Sequence, residues 1–175
     1  MNTSIGSIAL IEIVSSLTTG VVILWLTHRI LKIYAKRVIG LEGKPNMAYS
    51  LFMAAVLFSV GFSVSSVIQP LVSYFRIISG SSDSVFSLAL SFIMYGGLYV
   101  TIAYMASLLI TFIGIKLYVY LTPLNEFKEI KENNIGVAIV VSSIIVTINL
   151  ISRSGVALLI ESLLPYPELM PKGLG

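Results

Sequence analysis

Long apolar runs alternate with short polar segments along this chain, and the runs have the length of membrane spans rather than of core helices. The first runs from Ser7 to Thr27 and is followed at once by His28, Arg29, Lys32, Lys36, Arg37 and Lys44. The second runs from Ala48 to Val72, with Asn46 just before it and Gln69-Pro70 near its far end. A loop is expected over Arg76 to Ser84, through the flexible run Ser79-Gly80-Ser81-Ser82. The third apolar stretch, 85–121, would be about 55 Å long as one helix at about 1.5 Å per residue. That exceeds the roughly 30 Å hydrocarbon layer. Either it tilts and protrudes, or it breaks near Gly96-Gly97. No polar turn divides it into two spans, so one span with a helical extension is expected. The fourth span starts near Asn134 and reaches Ser152, with Leu164 as its outer limit. The tail from Pro165 to Gly175 carries three prolines and reads as irregular.

These elements predict an all-α fold, an integral membrane four-helix bundle. Two units are expected, 1–84 and 85–175, each an apolar hairpin with a polar connecting loop. A tandem repeat is one reading of them. Residues 19–67 and 106–155 share the order apolar span, basic and aromatic exit, polar loop, asparagine, apolar span. Asn46-Met47-Ala48-Tyr49-Ser50 can be laid on Asn134-Ile135-Gly136-Val137-Ala138, and Tyr34 falls near Tyr120. Convergence of two similar hairpins is the other reading.

Charge sets the orientation. Hydrophobic residues make up 57% of the chain and charged residues only 11%, so the few cations carry the topological signal. Arg29, Lys32, Lys36, Arg37 and Lys44 lie in the first loop, and Lys116, Lys128 and Lys131 in the loop between spans three and four. Only Arg76, Arg153 and Lys172 fall on the other side. Cytoplasmic loops carry the excess of Lys and Arg, so both loops are expected in the cytoplasm and both termini outside it. Trp25, Tyr34 and Tyr49 on one side, and Tyr74 and Tyr166 on the other, are placed as interfacial belts. The net charge of +3 sits beside apolar spans. It therefore points to anionic lipid headgroups and not to nucleic acid. The chain has no cysteine, which excludes disulfides, thiolate metal sites and a cysteine nucleophile. Met1 to Gly6 has no Lys or Arg, so a cleavable signal peptide is not expected.

The most distinctive stretch is Tyr120-Leu121-Thr122-Pro123-Leu124-Asn125-Glu126-Phe127-Lys128-Glu129-Ile130, followed by Asn133-Asn134-Ile135-Gly136-Val137-Ala138. Pro123 ends a helix and starts a turn. Thr122 is read as the cap of a short amphipathic segment. Phe127 and Ile130 are expected on the headgroup boundary, and Glu126, Lys128, Glu129, Lys131 and Glu132 in water. Asn133 or Asn134 caps the next span. This loop resembles the YjfL-like family of small bacterial inner-membrane proteins, a domain-of-unknown-function family of paired two-helix units. The resemblance rests on a tyrosine, a threonine-proline pair, acidic residues, and then asparagine and small residues entering a helix. The first hairpin departs from the pattern, with Lys36-Arg37 and Gly40-Leu41-Glu42-Gly43 in place of a threonine-proline loop. Asn133 stands where the family has glycine, and the tail after Leu164 is longer. The resemblance implies four spans in a bacterial inner membrane and no established activity. Members are encoded near phage-shock-like membrane-stress proteins and glutathionylspermidine-synthase-like ligases, which implies a membrane-stress or envelope system.

Several polar residues fall at membrane depth. A carboxylate there costs several kcal/mol unless it is paired, protonated or wet. Glu12 is thus either a proton- or cation-handling group or an interfacial residue reaching headgroups. Arg153 either pairs with Glu12 or Glu161, or snorkels. Asn149 is the strongest polar candidate within a span. Ser59 and Ser63 have the small-xxx-small spacing of close helix packing. With Ser15, Ser16, Thr18, Thr19, Ser142, Ser143 and Thr147 they read as interhelical glue or as a polar path. His28 reads as an interfacial anchor. Tyr95, Tyr99 and Tyr104 read as helix packing or as a partner surface. No phosphate loop, GxSxG or HExxH motif occurs, and a Ser–His–Asp triad would need His28 and Asp83 on opposite sides of the membrane. No enzyme activity and no cofactor are expected. The leading reading is a homo-oligomeric membrane subunit that docks anionic lipid, or a cytosolic or membrane protein partner. Its docking residues would be Arg29, Lys32, Lys36, Arg37, Thr122, Pro123 and Glu126. The alternative is a small oligomeric channel or transporter using Glu12, Asn149 and Arg153.

Overall fold

The computed structural model describes residues 3–41, 44–79 and 85–164, and the side chains of residues 13, 14, 16–41, 44–74, 90 and 94–164. Helix α1 covers Thr3–Tyr34 and runs on as a π-turn, Ala35–Ile39. Helix α2 is Met47–Ser65 and α3 is Ile68–Ser79. They form one rod with a tightened turn at Ser66 and Val67, where the N–H groups bond three residues back to Ser63 and Val64. Pro70 accounts for the interruption. It has no N–H to give the Ser66 carbonyl, and its ring crowds that carbonyl. Helix α4 is Val85–Leu121, α5 is Glu126–Lys131 and α6 is Ile135–Leu163.

The long third stretch is one helix, unbroken at Gly96-Gly97. Two glycines cost about 2 kcal/mol relative to alanine, too little to interrupt a ladder that apolar surroundings make obligatory. Two loop expectations are corrected. The segment after Arg76 is helical to Ser79, with 80–84 outside the described residues. The basic run at Arg29, Lys32, Lys36 and Arg37 is also helical, because Lys and Arg are good helix formers and the helix simply leaves the apolar layer.

Among the described residues, Met47–Tyr74, Met94–Leu121 and Ile135–Leu163 are long and apolar enough to cross a membrane. Leu109, Ile113, Ile151 and Leu158 are each more than half exposed on these rods. A soluble chain does not leave so wide an apolar surface open. Length, composition and exposure together mark a membrane protein. The expected first span lies in α1, much of it outside the described side chains.

α2 packs most extensively on α6. The two run in the same direction, because Asn46 bonds the segment just before α6 while Ser66 Oγ donates to the Arg153 carbonyl at 3.2 Å. α4 runs against α6, with the Tyr99 hydroxyl on the Leu163 carbonyl at 3.0 Å. α1 runs against α2, with the Tyr49 hydroxyl on the Leu31 carbonyl at 2.7 Å. Gly114 allows the close approach of α4 to α6, since a Cβ there would stand 3.0 Å from Ile148 Cδ1.

The two connecting segments meet at one end of the bundle. Asn46 Oδ1 accepts from Tyr49 N at 2.7 Å and caps α2; Asn134 Oδ1 accepts from Val137 N at 3.3 Å and caps α6. The connection is reciprocal. Asn46 Nδ2 donates to the Ile130 and Lys131 carbonyls at 2.9 and 3.0 Å, and Asn133 Oδ1 accepts from Ala48 N at 3.0 Å. Asn133 takes a positive φ of 66°, which asparagine tolerates better than most residues. Asn125, not Thr122, caps α5 by accepting from Lys128 N. Phe127 and Ile130 face inward and not the headgroup boundary. Ile130 is fully buried, and the Phe127 ring meets Tyr34 at 5.8 Å and Phe52 at 6.5 Å, both edge-on. Tyr34, Tyr49 and Tyr74 likewise pack into the bundle instead of forming belts, and Tyr166 lies outside the described residues. Trp25 is exposed, with the Arg29 guanidinium 5.4 Å from its ring.

Replacing Asn46 by alanine removes a helix cap and both ties to α5. An unfolding titration in mixed micelles should lose about 2 kcal/mol, a cap being worth about 1 and each amide bond somewhat less. Asn134→Ala removes a cap and an exposed bond to Glu129, and should cost about half as much. Equal losses would argue against the reciprocal tie.

Candidate functional site

Two regions gather the polar side chains that sequence reading singles out. One is a seam inside the bundle. Thr27 of α1 bonds the Ile23 carbonyl at 2.8 Å and lies 3.2 Å from the Tyr104 hydroxyl of α4. Ser107 of α4 bonds the Ala103 carbonyl at 2.8 Å and lies 3.0 Å from Ser63 Oγ of α2. Thr111 of α4 bonds the Ser107 carbonyl at 2.8 Å and lies 3.2 Å from Asn149 Oδ1 of α6. Asn149 Nδ2 donates to the Ile145 carbonyl at 3.0 Å, and Asn149 is only 2% exposed. Each hydroxyl thus bonds its own helix one turn back and touches a neighbouring helix. Ser59 and Ser142 are also buried, and their hydroxyls meet no partner among the described residues.

Sequence reading finds Asn149, Ser59 and Ser63 but passes over Thr27, Ser107 and Thr111. A signal was present. Ala103, Ser107 and Thr111 are spaced four apart and form one small face on α4. Tyr99 and Tyr104 are buried as packing residues, while Tyr95 is exposed.

Arg153 makes no ion pair with Glu161 among the described residues. Its guanidinium lies 4.5 Å from the centre of the Phe62 ring, a cation–π contact that suits a half-buried cation. The backbone of Glu12 is in α1 and its side chain lies outside the described residues. The structure therefore gathers Asn149 into the seam and sets the Arg153 guanidinium of α6 over Phe62 of α2.

The second region is the loop end. Arg29, Lys32, Lys36 and Arg37 are all exposed. Thr27, Leu31 and Ala35, at four-residue spacing, are buried on the other side of the same helix. This part of α1 is amphipathic, with a basic face turned out. Gly40, at φ 69°, ends it, and its N–H bonds the Ala35 carbonyl. Lys131 brings its amine over that end, since a Cβ on Gly40 would lie 3.2 Å from Lys131 Nζ. A cation is well placed against the free carbonyls of a helix C-terminus. Burial raises the pKa of the Tyr34 hydroxyl beside this face and keeps it neutral.

Glu126 is corrected from the water-facing position expected of it. It is 2% exposed, and Thr122 Oγ1 donates to its Oε1. Thr122 also contacts the Tyr118 carbonyl at 3.2 Å, and Pro123 is exposed on the turn. The surface ion pair on α5, Lys128 to Glu132 at 3.9 Å, is exposed and adds little. Among the described residues no group of three or more His, Cys, Asp or Glu side chains gathers to hold a metal ion.

The stretch that carries the threonine-proline loop has a family counterpart. Residues 91–164, spanning most of α4 and all of α5 and α6, match the family described as Domain of Unknown Function (DUF350). No curated protein and no solved structure matches the chain. The likeness to a family of unknown function covers the second hairpin and brings no activity with it.

Proposed function

We propose that this chain is a non-enzymatic, multi-span membrane subunit whose basic face docks anionic lipid headgroups at the cytoplasmic surface. The carrying observation is the amphipathic end of α1, with Arg29, Lys32, Lys36 and Arg37 exposed opposite a buried apolar stripe. Such a helix leaves the hydrocarbon at headgroup level, where each cation near an anionic surface is worth about 1 kcal/mol. Trp25 under Arg29 marks the level of the interface. In this reading α1 adds the first span to the other three, and the bundle has four. The paired caps Asn46 and Asn134 support two related hairpins, and both termini lie away from the cytoplasm. The subunit is homo-oligomeric and can hold a cytosolic or membrane protein against the same face. The resemblance to YjfL-like proteins supports a bacterial inner membrane and a membrane-stress or envelope system.

The transporter reading uses Glu12, Asn149 and Arg153. The burial of Asn149 favours packing over passage, because its amide nitrogen already donates to the Ile145 carbonyl and its oxygen lies against the Thr111 hydroxyl.

The triple variant Lys32→Gln, Lys36→Gln, Arg37→Gln should retain anionic lipid about a hundredfold less than the native chain, at roughly 1 kcal/mol per cation. Native mass measurement after extraction from mixed-lipid discs reads this, and unchanged retention would remove the docking assignment. The absence of cysteine allows single-cysteine labelling. Lys44→Cys and Leu124→Cys should react with a membrane-impermeant reagent from one side and Ser162→Cys from the other. Labelling of all three from one side would overturn the topology. Thr111→Val removes the hydroxyl that lies against Asn149 Oδ1 and should cost roughly 1 kcal/mol of stability, with no change in ion leak from proteoliposomes. A changed leak would favour the transporter.

A further inference from the structure

Beside the turn between α4 and α5 lies an open hollow that the basic face does not use. Tyr118, Thr122, Leu124, Glu126, Val137 and Val140 border a cavity of about 310 Å³ at the loop end. Glu126 is buried there, with Oε1 engaged by Thr122. Its Oε2 is shielded from water and meets no donor among the described residues. A buried carboxylate oxygen without a donor is costly, and native structures supply one. No described Lys, Arg or His forms an ion pair with Glu126; the described ion pair of this segment joins Lys128 to Glu132 on its surface.

Tyr118 also borders a second space. A groove of about 460 Å³ runs along α4 and α6, walled by Ile110, Ile113, Leu117, Ile144 and Ile148. Ile113 and Leu117 are more than half exposed, so the groove opens toward the lipid-facing surface. A purely apolar groove beside a span shares Tyr118 with a small cavity bordered by a carboxylate, one oxygen of which lacks a donor. The two together suit an amphiphile with an alkyl chain and a cationic, proton-donating head.

We propose that this is a binding site for a phospholipid with a primary ammonium headgroup, of the phosphatidylethanolamine class. The ammonium donates to the Glu126 carboxylate and one acyl chain lies in the α4–α6 groove. A choline headgroup carries no N–H and cannot supply the missing donor. An anionic headgroup would be repelled by the carboxylate. The site lies on different helices from the basic face of α1. The proposal needs only that this end of the bundle sits at a membrane surface, and it does not depend on the basic-face reading.

The test uses the full chain in discs made from equal parts phosphatidylethanolamine, phosphatidylcholine and phosphatidylglycerol, with bound lipid read by native mass measurement. The native chain should retain the ethanolamine lipid about tenfold over the choline lipid, the least that one hydrogen bond to a charged group is worth. Glu126→Gln should abolish that preference and leave retention of the glycerol lipid unchanged. Val140→Trp, which fills the cavity from a half-exposed position, should do the same with Glu126 intact, so the proposal does not hang on one variant's folding. Equal retention of the two zwitterionic lipids by the native chain would overturn the proposal. So would a preference that survives both variants. Loss of the preference in the Lys32, Lys36, Arg37 triple variant, with Glu126→Gln unaffected, would assign headgroup selection to the basic face instead.

Discussion

Backbone polar groups cannot be left open in hydrocarbon, and the bundle is arranged around closing them where its helices end. A helix satisfies its own interior but leaves four donors and four acceptors at its ends. At the loop end these are closed across elements. Asn46 caps α2 and also takes up the last carbonyls of α5, while Asn133 accepts from the first turn of α2. Two asparagines thereby fix the distance and direction between the hairpins. The parallel run of α2 on α6 follows from that anchor.

Within the layer, the hydroxyl seam acts as a set of spacers. Serine and threonine let helices approach closely while each bonds its own carbonyl one turn back. The cross-helix contacts of Ser107 with Ser63 and of Thr111 with Asn149 then require little extra desolvation of Ser107 and Thr111, because each of these hydroxyls already bonds its own helix. Such bonds add modest stability. Their greater effect is on register, since sliding one helix by a residue separates every pair at once.

Much of this architecture is legible in the chain. Asn46 and Asn134 stand where polar residues precede long apolar runs, and both are helix caps. The third stretch reads as one span because nothing polar divides it, while a break at Gly96-Gly97 stays open in the sequence and the structure has one helix there. Where sequence and structure part, the reason is tertiary. Glu126 sits in a charged run and reads as solvated, yet Thr122 and α6 close over it. Tyr34 and Tyr49 have the composition of belt residues, but α5 folds back over the bundle end and covers that side with Phe127 and Ile130. The basic residues of α1 read as a loop because charge marks the membrane boundary, and a boundary need not end a helix. The pocket at Glu126 depends on three separated segments meeting, which periodicity does not carry.

The π-turn at Ala35–Ile39 makes the length of this segment a matched quantity. A π-turn holds one more residue than an α-turn and is the form a helix takes when it absorbs an insertion. Excising one residue here would restore regular winding with the downstream phase nearly kept, whereas inserting one more would rotate everything downstream by about 100°. Gly40 would swing away from Lys131, and Asn46 would arrive out of phase with the carbonyls it closes. The chain thus counts residues between the membrane exit of α1 and the start of α2, and a further one-residue insertion would be felt more sharply than most substitutions within the same segment.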